Sequence, residues 1–564
     1  MMPTDDQHSY MPQLLTQYRG GRINRREFLR TATLLGASAA AAYGMAGAID
    51  GIVTPAFAQE TAPEAKPKGG TLRLETTVYD VKSPAIANTT AHPWIYSQVV
   101  EYLTVIGSDN VTRPHLLESW QPSDDLKTWT LRLRPGVKWH SGRDFTVDDV
   151  IWNLTRLLSD DVGSSMLGLM KGYMLNEVDT GQTDENGQPV IGHELWSPDA
   201  IERVDDQTVR LNLKEPQLAI PEHLNHYQAV MLDPDQGGTF DVGSNGTGAF
   251  TLVEIEPGRR AVIEAVSDYW GEGPYLDRVE FIDLGGGDQA ILNALISGQV
   301  HGAFQVQPEF SSMLEQQKHL TLHDVTTADT AISRMNVKQK PFDDPRVRKA
   351  FRLAIDPVKA SAVTFGPFAT PAEHHHVAPI HPEYAKLPEW KQDIGAARAL
   401  LAEAGHGDGL EVELVIQKDP AHHLRNATAI QEMLKEAGVT CNINVMPNAQ
   451  YWDVWTTVPF GSTVWAHRPL AVINLGLAYR SGGAWNESGY ANPEFDRLLT
   501  EAEAMPDPEV RRGKMAEIEA LLQEDGPIVQ TYWRKLLTFY DSRVMGFEMH
   551  PTYALFANKL ALGA

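Results

Sequence analysis

The spacing of apolar and polar positions changes period along the chain. Residues 129–133 alternate apolar and polar positions, which predicts a strand, and 71–76 should form the first strand of the folded chain. Pro135-Gly136 then predicts a turn that returns the chain through Val137, Lys138, Trp139 and His140 as the second arm of a hairpin. Thr146 has Asp149 three residues on, with Val150, Leu154 and Leu157 at helical spacing beyond, so a helix should start on a capping box. Residues 182–198 are polar and carry Gly, Asn and Pro, which predicts a surface loop. The second half has another rhythm. Leu410, Val412, Leu414 and Ile416 alternate; Ile430, Met433, Leu434 and Ala437 fall at helical spacing; Gly438 stops that helix; Cys441, Ile443 and Val445 alternate again. This is a βαβ unit. Before it, Asp393 should cap a helix with Ile394, Ala397, Leu401 and Ala404 on its apolar face, ended by Gly405. The class is α/β, with an extra β-rich subdomain in the first half.

The N-terminal residues follow neither rhythm. A weakly apolar Ala/Gly stretch over 31–48 follows Asn24-Arg25-Arg26-Glu27-Phe28-Leu29-Arg30 and precedes the small residues of Ala56-Phe57-Ala58. That order reads as a twin-arginine signal peptide over 1–58, which places the protein in the periplasm. Asn24 stands where Ser or Thr is usual, and Arg30 where Lys is common. The alternative is an apolar segment retained as a membrane anchor. Residues 59–69, rich in Pro, Ala, Lys and Gly, should form a flexible tether.

Composition narrows the partners. With 564 residues, 42% of them hydrophobic, and a net charge of -25, the chain suits a large soluble core and not a surface that neutralises phosphates, so nucleic acid is not expected. Cys441 is the only cysteine, which excludes an internal disulfide and a thiolate metal centre within one chain. Gly285, Gly287 and Ala290 formally match a dinucleotide turn with Glu309 downstream, yet Asp288 as a helix cap accounts for the segment without a nucleotide. His374-His375-His376 and His422-His423 suit solvated loops better than metal ligation, because adjacent histidines cannot all face one ion. There is no G-x-S-x-G, no H-E-x-x-H and no cysteine nucleophile beside a base. Neither an enzyme nor a cofactor is expected.

Several separated segments carry a family resemblance. Pro114-x-Leu116 to Ser119-Trp120, the run from Trp129 through Arg134-Pro135-Gly136-Val137-Lys138-Trp139-His140-Ser141-Gly142, and Phe145-Thr146-x-x-Asp149-Val150 resemble the peptide/nickel (family 5) extracellular solute-binding proteins. Gly246-Thr247-Gly248-Ala249-Phe250, Asp268-Tyr269-Trp270-Gly271, Pro341-Phe342-Asp343-Asp344-Pro345-Arg346 and Tyr490-x-Asn492-Pro493-Glu494-Phe495-Asp496 extend it over the mature chain. The resemblance implies a two-lobed receptor of the periplasmic-binding-protein fold, crossed twice by the chain. Lobe I would span 70–305, with 93–229 inserted, lobe II would span 306–527, and 528–564 would return to lobe I. It also implies a monomer that captures a small solute by lobe closure and delivers it to the permease subunits of an ABC importer.

Peptide-binding relatives carry an aspartate for the peptide ammonium in the segment where this chain reads Trp465-Ala466-His467-Arg468-Pro469-Leu470. A guanidinium there would repel an ammonium and hold a carboxylate, sulfonate or phosphate. One reading gives Arg468 to an anionic group of the solute, with His467 adjusting charge and Trp465 as an apolar wall. The other pairs Arg468 with an acid of its own lobe and puts Trp465 in the core. Further cleft candidates are Asn88 and His92 after the first strand, Thr247 in the Gly-rich turn, Arg425 beside a lobe II helix, and Trp485 and Asn486; such loops also use Asn and Ser simply to make turns. The leading function is a receptor for a small polar, anion-bearing solute, peptide-like, opine-like or sugar-acid-like. A metal or metal-chelate binder and an exported enzyme on the same scaffold are the alternatives.

Overall fold

The computed structural model describes residues 8–50, 66–183, 189–285, 287–483 and 485–563. Its spine is a mixed twelve-stranded sheet. In one half Thr71–Glu75 lies parallel to Arg278–Ile282 and Gly302–Ala303, and the antiparallel ribbon of Phe250–Glu256 and Arg260–Ala265 extends the sheet outward. In the other half Leu410–Gln417 lies parallel to Val439–Met446, in register from Leu410 opposite Val439 to Gln417 opposite Met446. The helix His422–Glu436 connects them, so the βαβ unit is present and its helix begins well before Ile430. Asp393 caps Ile394–Glu403 by accepting from the Ala396 N–H at 2.8 Å.

Two long strands join the halves. Leu320–Met335 pairs with Tyr532–Asp541 as far as Thr326, shifts register before Asp329, and pairs with Phe460–Trp465 from Thr330 onward. Each half has its own apolar core on its own side of that shift. The shift is therefore the passage between two lobes. It lies at 327–329, not at the implied boundary of 306, because 302–303 and 320–326 still pair within the lobe I sheet. The return falls at 531–534, where the chain leaves Ile528–Gln530, paired in lobe II, and enters Tyr532–Asp541. Asp329 and Arg534 form a buried ion pair at this passage, and Arg534 Nη2 also donates to the Tyr553 hydroxyl at 3.0 Å.

The insertion carries a four-stranded antiparallel sheet in the order Leu117–Pro122, Thr128–Leu133, Thr208–Asn212, Ile201–Arg203. Thr128–Leu133 has neighbours on both edges, which leaves none for the expected hairpin partner. Residues 137–140 instead form a loop that contributes one isolated bridge, Lys138 to Asp144. The capping box is present: the Asp149 carboxylate accepts from the Thr146 N–H at 2.8 Å and from Trp139 Nε1 at 3.2 Å. The family block thus closes a core of fully buried Trp129 and Trp139. Most of the expected polar loop also differs, since Leu175–Thr183 pairs with Pro189–Leu195, supplying backbone partners without a buried face.

Three helices, Met11–Arg19, Arg25–Leu34 and Ala39–Asp50, fold against this body. Asn24 caps the second through a reciprocal box with Glu27, a structural use for the residue that departs from the export pattern. Arg25 and Arg26 stay exposed, whereas Phe28, Leu29 and Arg30 are buried. The proposed cleavage site and most of the tether lie outside the described residues. Among the described residues no helix is long and apolar enough to cross a membrane.

Candidate functional site

The strand Phe460–Trp465 ends at the passage between the lobes and gives way to Ala466-His467-Arg468 before the helix Ala471–Tyr479 begins. These residues stand where lobe I, its insertion and lobe II meet. Trp465 is buried, donates its Nε1–H to Glu487 at 2.8 Å and meets Trp485 edge to face. It serves the core and also walls a cavity, which joins the two roles kept apart above. His467 Nδ1 accepts from the Ala328 N–H at 3.0 Å, and its Nε2 lies 2.8 Å from Asn110 Oδ1. Burial, then neighbouring His381 and Arg30, hold this imidazole well below its ordinary range. It is therefore a neutral tie between the crossing strand and the insertion, not a residue that adjusts charge.

Arg468 is half-buried. Its guanidinium lies over the Tyr227 ring at 5.6 Å, Nη1 donates to the His467 carbonyl at 3.2 Å, and the enclosed Nε has no partner. Among the described residues no carboxylate lies within 4.0 Å of it, so the lobe-acid pairing is not formed. Asp329, the acid that acts on it through space, is already paired with Arg534. Burial lowers the Arg468 pKa from its ordinary value, the direction expected of a cation short of counter-charge.

Two cavities meet at this residue. The smaller, about 320 Å³, lies between the lobes and is walled by Tyr79, Asn88 and Tyr553 from lobe I and by Trp452, Trp465 and Trp485 from lobe II. The larger, about 870 Å³, lies between the insertion, the loop at 269–272, the C-terminal stretch at 552–559 and the start of Ala471–Tyr479. Both include Thr90, Tyr227 and Arg468 in their walls. In the larger cavity Glu101, 5% exposed, accepts from His115 Nε2 at 2.8 Å, Tyr269 Oη at 2.8 Å and Trp270 Nε1 at 3.0 Å.

Of the residues singled out from sequence, Asn88, Trp465, Trp485 and Arg468 line the smaller cavity, and His467 with Arg468 lines the larger. The others stand back. His92 stacks on Tyr79 at 4.7 Å and supports the wall from behind. Thr247 is buried and acts through its carbonyl, which accepts from Trp270 Nε1 at 3.1 Å; its flanking glycines are required because a Cβ on Gly246 or Gly248 would collide with the Val99 and Gln98 carbonyls. Asn486 closes its own turn by donating to Arg480 and Tyr490 carbonyls. Arg425 pairs with Glu309 at 2.8 Å, outside both cavities.

The histidine runs also differ from expectation. His374, His375 and His376 are fully buried, not solvated, because the Nδ1 of each bonds inside the fold: with the Gln530 N–H at 2.9 Å, the Val377 N–H at 3.2 Å and the Tyr479 hydroxyl at 2.8 Å. His422 and His423 are likewise buried and stack in the wall of the smaller cavity at 4.8 Å. Sequence gave no sign of Glu101 or Tyr227, which are single residues without a local pattern. Trp270 was visible in the Asp268-Tyr269-Trp270-Gly271 block, though not as part of a site.

Comparison with known proteins agrees with this architecture. The sequence profile of the bacterial extracellular solute-binding proteins, family 5 Middle, matches residues 111–474. The glutathione-binding protein GsiB of Salmonella typhimurium is 26% identical over 492 residues, covering 83% of this chain and 90% of that protein. Among solved structures, the periplasmic binding protein DppA of Helicobacter pylori in complex with the peptide STSA superposes with a TM-score of 0.76 at 20% identity, over 89% of this chain and all of the other. The binding protein AgaA of A. tumefaciens R10 in complex with agropinic acid also gives 0.76, at 22% identity, over 88% of this chain and 99% of the other.

Proposed function

The chain belongs to the bacterial extracellular solute-binding proteins of family 5, and we propose that it captures a small anion-bearing solute between its lobes and passes it to the membrane subunits of an ABC importer. The observation that carries this reading is Arg468, a cation in the cavity wall with no carboxylate beside it and an aromatic ring holding it in place. A guanidinium so placed offers two parallel donors to a carboxylate, sulfonate or phosphate, and its partial burial strengthens that contact. Trp465 and Trp485 add flat apolar surface beside it. Solute is bound and released unaltered. Contacts from both lobes exist only when they are close together, so binding shifts the population toward the closed form.

GsiB is named for a thiol tripeptide and AgaA was solved with an opine acid; both ligands carry carboxylates, which accords with the charge at Arg468. Export by the twin-arginine route, with cleavage after Ala58, would place the receptor in the periplasm, where a monomer would meet the importer. A second reading, capture of a metal chelate, is favoured by His422 and His423, whose rings line the smaller cavity and whose Nε2 and Nδ1 respectively lack partners. Elemental analysis of protein purified without chelator decides it, since stoichiometric metal is required.

The first test is calorimetry with glutathione and a panel of carboxylate opines. Arg468→Ala should lower affinity for every anionic solute by at least about tenfold, which is about 1.4 kcal/mol. Arg468→Lys should recover only part, because an ammonium cannot supply the planar fork. Unchanged binding by the Ala variant would remove Arg468 as the anion receptor.

A further inference from the structure

Tyr227 belongs to the insertion, yet its ring meets side chains of lobe II. The Arg468 guanidinium lies over it at 5.6 Å, and Trp485 stacks beside it at 6.4 Å with 29° between the ring planes. On its own side the ring packs on His226 at 4.4 Å. The contacts with Arg468 and Trp485 cross from one lobe to the other, so they exist only while the lobes are together. Tyr227 and Arg468 also stand in the walls of both cavities, the one of about 320 Å³ between the lobes and the one of about 870 Å³ beside the insertion. Ring and guanidinium together form a partition between the two spaces.

The partition is held from behind. The Tyr227 carbonyl accepts from the Tyr96 hydroxyl at 2.6 Å and from the Tyr102 hydroxyl at 3.2 Å, which uses both of its lone pairs. His226 Nε2 lies 3.0 Å from the Ser165 hydroxyl, and Gln228 Oε1 accepts from the Ser165 N–H at 2.7 Å and the Ser164 hydroxyl at 2.8 Å. The residues on either side of Tyr227 are thus tied to the start of the insertion helix Ser165–Met174, and the ring cannot retreat without breaking those bonds. A solute seated on Arg468 in the smaller space meets this ring. One short enough to stay there leaves the ring on Arg468 and Trp485; one that runs on must push it aside and lose the interlobe contacts. A clash of this kind discriminates without adding any contact to the favoured solute. Length is read through closure, because a solute shifts the population only as far as the closed form is better for it than the open one.

We propose that Tyr227 sets the length of solute this receptor accepts, by shutting the interlobe chamber off from the larger one as the lobes come together. The inference rests on Arg468 as the anion receptor and adds a length limit that Arg468 alone does not impose.

The test uses the full chain and glutathione S-alkylated with methyl, butyl, hexyl and octyl groups, which keep the same charges and differ only in length. Calorimetry gives each dissociation constant. The readout is the ratio of the hexyl to the methyl compound, in which any loss at Arg468 common to both cancels. In the wild type the hexyl compound should bind at least about tenfold more weakly than the methyl one. Tyr227→Phe, which keeps the ring, should reproduce that ratio. Tyr227→Ala should bring it to about threefold or less, whatever affinity the series loses as a whole. A wild type that binds all four members alike, or a Tyr227→Ala variant that keeps the wild-type ratio, overturns the partition and leaves Arg468 as the anion receptor. If the wild type binds no member of the series the partition falls too, and Arg468→Ala against the carboxylate opines decides separately whether the anion reading stands. Should Tyr227→Ala fold poorly, Tyr227→Leu serves the same comparison, since its side chain fills the base of the site but is shorter than the ring.

Discussion

At Arg468 an aromatic ring does the holding that a carboxylate does at most buried arginines in this protein, such as Arg334 beside Glu487 and Arg534 beside Asp329. Other buried groups avoid charge altogether. Burial pulls His223, His376, His381 and His423 down to about 3, and pushes Glu75 and Glu222 up to about 8 and Glu519 up to about 9. The two sets act on stability with opposite signs. A histidine depressed in the fold contributes stability that is complete above its unfolded value near 6.5 and is lost as pH falls toward 3, because only the unfolded chain takes up the proton. A carboxyl raised in the fold contributes stability that is complete below its unfolded value near 4.5 and is lost as pH rises through 8 to 9. The thermal midpoint should therefore peak between about pH 6 and 7 and fall on both sides. Scanning fluorimetry across that range checks it: a midpoint still rising at alkaline pH counts against the buried neutral carboxyls, and one flat on the acid side counts against the histidines. Arg468 was legible in the sequence because it stands inside a recognisable motif with the wrong charge. Glu101 was not, since its partners come from positions 115, 269 and 270 and only the fold brings them together.

The elements whose apolar period was strong are the ones legible in advance, and the misses share one cause. Alternation at 410–416 and 441–445 forms parallel strands, with Val412, Leu414, Ile416 and Cys441 in the core and Val445 left exposed at the far end. Alternation at 129–133 also forms a strand, but local turn chemistry at Pro135-Gly136 named the wrong partner, because strand choice is settled by Leu117–Pro122 and Thr208–Asn212 at a distance. The passage between lobes was misplaced for the same reason: Leu320–Met335 is one continuous strand, and only its pairing shows that it belongs to both halves. Asp329 and Arg534 fix this passage from inside the fold. Arg534→Met would leave Asp329 buried and unpaired, and should cost about 3–5 kcal/mol of stability. Adding Asp329→Leu should restore most of that loss, since the uncompensated charge, not the missing contact, is the main penalty. Urea unfolding of the wild type, the single variant and the double variant measures both, and a double variant no more stable than the single one would show that the pair's geometry matters more than its charge.

For the whole molecule, residues 8–50 reach across two bodies that solute capture must let move. On the insertion side Arg30 Nε donates to the Asn110 carbonyl at 2.9 Å, Trp120 Nε1 donates to the Leu34 carbonyl at 3.1 Å, and the Ser9 N–H donates to Asp124 at 3.0 Å. On the lobe II side Gln17 Nε2 donates to Asp507 at 3.0 Å, Arg30 Nη1 reaches the Ile380 carbonyl at 3.4 Å, and Arg512 pairs with Glu27. Met11, Leu14, Phe28 and Leu29 are buried between. Four such side chains contribute on the order of 6–12 kcal/mol of gross burial, far more than the few kcal/mol that usually separate open and closed forms. Asn110 also bonds His467, which precedes Arg468, so the segment is linked to the cavity wall through one residue. A chain that keeps residues 8–50 should thus stay compact with or without solute. One that starts at residue 66 should expand when empty and contract when a solute binds, and should bind it faster. Small-angle scattering and stopped-flow binding on the two forms separate these behaviours; identical dimensions and rates would mean that the docked helices impose no restraint on the lobes.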